Sequence, residues 1–79
     1  MAQRILRAMP WDEHSGVLQN VIEDEPFTFL DFGWFQVQIS SDEIASVKDQ
    51  LDRMIGKRIS LLKTDITEKP LLVRIIGDE

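Results

Sequence analysis

Along this 79-residue chain the spacing of apolar residues switches between two periods, and the switches outline its elements. Ile44, Val47, Leu51, Met54 and Ile55 recur at intervals of three and four, while Asp42, Lys48, Asp49, Asp52 and Arg53 fall between them. That period predicts one helix over residues 40–55 lying on an apolar core. Ser40 and Glu43 have the spacing of a capping box, Ile39 and Ile44 that of a hydrophobic staple, and Gly56 is placed to end the helix in the left-handed conformation. Lys48/Asp52 and Asp49/Arg53 are four apart and add side-chain pairs of about 0.2–0.5 kcal/mol each.

Elsewhere the pattern is that of strands. GVLQNVIE (16–23) is rich in β-branched residues and is followed by the polar turn EDEP. FTFLDFGWFQVQI (27–39) is broken by Asp31, Phe32 and Gly33, which fit a tight turn better than a glycine bulge within one strand. KRISLLK (57–63) and LLVRII (71–76) read as two more strands joined by the loop TDITEKP, and QRILRAM (3–9) as an extra strand or extended arm stopped by Pro10.

Strand, strand, strand, helix, strand, strand is an order that resembles the OB-fold, a partly open Greek-key barrel. FTFLDFGWFQVQI is similar to its second and third strands, and GKRISLL to its fourth strand leaving the helix. The resemblance covers residues 16–76 and implies a mainly β domain spanning 1–79: a five-stranded barrel, one helix at about 40–55 and an N-terminal segment at 1–15. It also implies a usual ligand face on the second and third strands. The alternative is an open antiparallel sheet with the helix on one face.

Alternation assigns Phe35, Val37 and Ile39 to the core and leaves Trp34, Gln36 and Gln38 outside. Phe27 and Phe29 share a face with Asp31, whereas Thr28, Leu30 and Phe32 share the other, so large apolar side chains remain outside whichever face turns inward. Three explanations follow: cover by Ile5, Leu6, Met9 and Trp11 of the N-terminal segment or by a second copy of the chain; a protein-binding face; or a stacking platform for single-stranded nucleic acid. On these grounds the expected partner-binding residues are Trp34, Phe32, Phe29, Gln36 and Gln38.

Charge ranks these readings. Fourteen acidic against nine basic residues give a net charge of −5, and Glu23, Asp24 and Glu25 precede the aromatic strands, which opposes phosphate binding. A nucleic-acid surface requires a local gathering of cations, with Arg58, Lys63, Lys69 and Arg74 as the expected contacts and Arg4, Arg7 and Lys57 as further donors. The favoured function is a non-catalytic binding or assembly module whose partner is a protein or the chain itself; single-stranded DNA or RNA is the alternative.

Enzymatic chemistry has little to work with. There is no cysteine and one histidine, His14, so neither a thiol nucleophile nor a multi-histidine metal site is available. His14 beside Ser15 fits a surface turn better than a dyad, and the four glycines are too scattered for a phosphate loop. Asp31 is expected to hydrogen-bond its turn, and the EDE cluster to be a solvated turn rather than a Mg²⁺ or Ca²⁺ site. No catalytic residue, metal or cofactor is expected, and with no apolar run near the N-terminus a cytoplasmic, non-membrane protein is the expectation.

Overall fold

A computed structural model describes residues 4–77. Gln3, where the predicted N-terminal strand begins, and the acidic pair Asp78 and Glu79 lie outside the described residues. The order is β1 (Arg4–Arg7), β2 (Glu13–Val17), β3 (Asn20–Asp24), β4 (Phe27–Asp31), β5 (Phe35–Ser40), α1 (Ser41–Ile44), α2 (Lys48–Arg53), β6 (Arg58–Lys63) and β7 (Leu71–Gly77). The molecule is mainly β, and the strands form two sheets: one in the order β1-β5-β4-β3, here sheet A, and one in the order β2-β6-β7, sheet B.

The strands do not close into the expected five-stranded barrel. Two features shape the arrangement that forms instead. The segment read as one strand over 16–23 is divided at Leu18 and Gln19, so that β2 pairs with β6 in one sheet and β3 with β4 in the other. Leu18 is fully buried at this corner; its N–H donates to Lys57 O at 3.0 Å and its carbonyl accepts from Gly56 N at 2.6 Å. The second feature is the N-terminal segment, which becomes β1 and runs parallel to β5 from Arg4↔Phe35 to Arg7↔Gln38. It occupies the edge that a closing strand would need, and β1 and β7 end the two sheets unpaired with one another.

The inner faces meet over one core. Leu30, Phe35, Val37 and Ile39 of sheet A pack with Ile59, Leu61 and Leu71 of sheet B, and Ile44, Val47 and Leu51 enter from the helical segment. At about 1.5–3 kcal/mol for each buried large apolar side chain, this cluster is the dominant stabilising term. The helical period at 44, 47 and 51 is thus correct, but the single helix is not. Val47 sits at φ −125°, ψ 10°, and its N–H reaches back only three residues to Ile44 O at 2.9 Å, which splits the segment into α1 and α2. Ile55 points outward and is exposed.

The capping box is also absent. Ser40 is the last residue of β5 and makes no side-chain cap, while Glu43 pairs with Lys63 at 3.0 Å. Ser41 instead ties the helix start to the sheet, its N–H donating to Pro26 O at 3.0 Å and its Oγ lying 2.9 Å from Thr28 Oγ1. Lys48 reaches Asp52 at 3.5 Å and Glu23 of β3 at 2.8 Å, whereas Arg53 donates to the Asp49 carbonyl at 3.3 Å rather than to its carboxylate. Gly56 has the expected left-handed φ of +92°. Among the described residues no helix is long and apolar enough to cross a membrane.

Candidate functional site

With one face of sheet A committed to the core, the pairing register fixes what the other face carries. Ile22 of β3, Phe29 of β4, Gln38 of β5 and Arg7 of β1 form one row; Asn20, Asp31, Gln36 and Ile5 form the next; Asp24, Phe27 and Ser40 form a third. Neighbouring side chains in such rows stand about 5 Å apart, so the face is continuous across four strands. An antiparallel face turned to water ordinarily alternates toward polar residues. Here Ile5, Ile22 and Phe27 are exposed; Phe29, half-buried, lies between Ile22 and Gln38, and Ile5 stands across Gln36 at the β1 edge.

At the end of sheet A, the β4–β5 turn carries Trp34. Asp31 Oδ1 accepts the Gly33 N–H at 2.8 Å, and the Phe32 N–H donates to Phe35 O at 2.9 Å. Gly33 adopts φ +98°, and a Cβ there would meet Gln19 Nε2 at 2.6 Å, so both conformation and space favour glycine. This is the turn the sequence predicts, with Asp31 as its hydrogen-bonding residue.

Its two rings part company. Phe32 is 4% exposed and stacks on Phe35 at a centroid distance of 5.1 Å, within the core. Trp34 is 72% exposed and meets Phe35 only edge-on, at 4.7 Å and 67°. Phe32, expected in the partner-binding set, continues the face of Thr28 and Leu30 in β4, which turns to the core, and is directed inward. Phe29, Gln36 and Gln38 share the outer face of sheet A, whereas the Trp34 ring, 4.7 Å from that of the core residue Phe35, stands at the end of the sheet on its core side.

The described part of the N-terminal segment does not lie over these rings. It extends sheet A sideways, with Leu6 toward the core and Ile5 on the outer face, while Met9 and Trp11 are exposed in the connection to β2. Sequence reasoning does not place Ile5, Arg7, Ile22 and Asp24 on this face. Their alternation is visible in QRILRAM and GVLQNVIE, but only the pairing of β1 and β3 to the central strands brings them together.

The expected nucleic-acid contacts do not converge. Arg58 and Arg74 lie on the outer face of sheet B, where Arg74 is paired in register with Ser60 and joins Glu13, Leu62 and Leu72 around a groove of about 330 Å³. Lys63 alternates to the opposite side of β6; its side chain, 12% exposed, bonds Glu43 at 3.0 Å and the Thr64 carbonyl at 2.9 Å. Lys69 stands in the loop between β6 and β7, exposed. The EDE cluster is likewise dispersed, since Glu23 pairs with Lys48 and Asp24 turns to the outer face of sheet A.

His14 and Asp31 belong to different sheets and do not form one site. His14 is paired with Leu61 in sheet B, and its buried Nε2 has no hydrogen-bond partner among the described residues. In comparisons with protein-family models, curated proteins and solved structures, nothing matches this chain.

Proposed function

We propose that this protein is a non-catalytic assembly module that receives a protein surface on the outer face of sheet A. The observation that carries the reading is the composition of that face: Phe29 beside Ile22 and Phe27, with both glutamines on the next strand and Ile5 beyond them. Aromatic anchors interleaved with polar groups are the make-up of protein interfaces, and adjacent exposed large apolar side chains on a small domain mark such a surface. The chain path is read as an OB-like barrel opened between β1 and β7, with the bent β2–β3 segment in the place of its first strand. The face lies on the strands that such barrels use for ligands. Asp24 and Asp31 on the face, and Glu25 beside it, disfavour a phosphate backbone there.

A photo-crosslinking residue at Gln36, compared in cells with one at the exposed Ser15 of sheet B, tests the reading. Protein adducts from position 36 and none from position 15 are expected. No adducts at 36, or adducts to nucleic acid alone, would overturn it.

A further inference from the structure

The same face carries charges of opposite sign at its two edges. Arg7 marks the β1 edge and Asp24 the β3 edge, and among the described residues neither has an ion-pair partner. A surface with its positive group on one side and its negative group on the other is complementary to itself under a two-fold rotation. We infer that the partner of this face is a second copy of the chain, packed sheet on sheet about a two-fold axis that runs along the strands between β4 and β5. This inference rests on the assembly reading and names its occupant.

The axis follows from the register. Rotation about a line parallel to the strands turns one sheet face-down on the other, keeps strand directions aligned, and sets β1 over the partner's β3 and β5 over the partner's β4. Aligned packing of this kind is one of the two usual ways for sheets to stack, at a separation of about 10 Å and a crossing of about 30°. Large side chains then meet smaller or polar ones: Phe29 opposes Gln38, Phe27 opposes Ser40, and Ile5 opposes Asn20. Arg7 opposes Ile22, with its aliphatic stem against the isoleucine and its guanidinium about 7 Å, two residues along the strand, from Asp24. The other in-plane axis, perpendicular to the strands, sets β1 over β1 and β3 over β3, which brings like charges together. The pairing of unlike edges selects the first.

Size predicts the strength. Four strands about 4.8 Å apart and five residues long at about 3.3 Å each give a flat footprint of roughly 300 Å². Even with side-chain relief this is less than the roughly 800 Å² per partner of a standard interface. The dimer is therefore weak and concentration-dependent.

Charge exchange provides the test. In a homodimer, Arg7→Glu sets a carboxylate against Asp24 of the facing copy, and Asp24→Arg sets a guanidinium against the facing Arg7; a heterodimer of the two variants restores attraction at one edge through the two exchanged residues and at the other through the two original ones. Sedimentation equilibrium from about 1 µM to about 1 mM, a range wide enough to reach weak association, is run on the parent, each variant and an equimolar mixture. Thermal melts confirm that both surface variants are folded. The parent is expected to pass from monomer to dimer, each variant to associate about tenfold or more weakly, and the mixture to regain the parental dimer.

Net charge alone predicts something different. It strengthens Asp24→Arg, at −3, and weakens Arg7→Glu, at −7, relative to the parent at −5. A parent that stays monomeric, an Asp24→Arg variant that associates as well as the parent, or a mixture no better than its components overturns the inference. If the parent is monomeric while position 36 cross-links to a different protein, self-association fails and the assembly reading stands. If position 36 captures no protein at all, the assembly reading fails with it.

Discussion

Phe32 and Trp34 are two residues apart in the same turn, and truncating each to alanine has opposite consequences. Phe32 is 4% exposed, lies face to face with Phe35, and its Cδ1 is 3.3 Å from where a Cβ on Gly16 would stand. Removing such a ring costs about 3–5 kcal/mol through lost transfer energy and the cavity left behind. A domain of this size has about 4–12 kcal/mol in all, so Phe32→Ala removes a large part of it. Trp34 is 72% exposed, and its main contact is the edge-on one with Phe35. Such a pair is worth about 0.5–1.5 kcal/mol, which bounds the cost of Trp34→Ala. Urea unfolding followed by far-ultraviolet circular dichroism separates the two. With an m-value near 1 kcal/mol/M, Phe32→Ala moves the midpoint down by about 3 M or more, and Trp34→Ala by about 1.5 M or less. Equal shifts, or a larger one for Trp34→Ala, would refute the placement of both rings.

Leu51→Ala is expected to cost about 2–5 kcal/mol, since Leu51 is fully buried, whereas the exposed Ile55 loses far less on the same change; equivalent denaturation midpoints would show the helical segment wrongly rotated. Gly33→Ala is expected to destabilise by about 1–2 kcal/mol, because φ is +98° and the new methyl meets Gln19. Adding Gln19→Ala relieves the steric part only, so full recovery in the double variant would contradict a backbone cause. The hydrogen bond from Lys48 to Glu23, followed by the charge of Asp52, raises the Lys48 ammonium above its ordinary 10.5. A raised pKa stabilises the fold fully below about pH 10.5 and loses its effect as pH climbs through the raised value. The stability difference between the parent and Lys48→Met therefore shrinks in strong alkali, and a difference that persists unchanged there would rule out the pairing.

Local features are legible in the sequence because they are local. The Asp31–Gly33 turn follows from a side chain and a glycine two residues apart, and the Phe35, Val37, Ile39 alternation from pleating alone. The helical spacing of residues 44, 47 and 51 survives the break at Val47, since each part keeps its apolar side on the core. What the sequence does not disclose depends on pairing between distant segments. Leu18 is one apolar residue in an apolar run, and nothing nearby marks it as the corner between two sheets. Arg4 to Arg7 alternate weakly, and their parallel alignment with β5, which widens the face and fills that edge of sheet A, has no short-range signature. Alternation groups Thr28, Leu30 and Phe32 on one face of β4 and Phe27, Phe29 and Asp31 on the other, but which of the two turns inward is settled only by pairing with β5. For the candidate site, Gln36 and Gln38 are readable from alternation, while Phe29, Ile5, Arg7, Ile22 and Asp24 join them only through sheet order.

A dilution series of amide NMR spectra reads the outer face of sheet A directly. As concentration rises, resonances of Ile5, Arg7, Ile22, Phe29, Gln36 and Gln38 are predicted to shift together, with those of β2 and β7 unchanged. Shifts centred on β7 or the outer face of sheet B, or none at any concentration, would contradict self-association through this face.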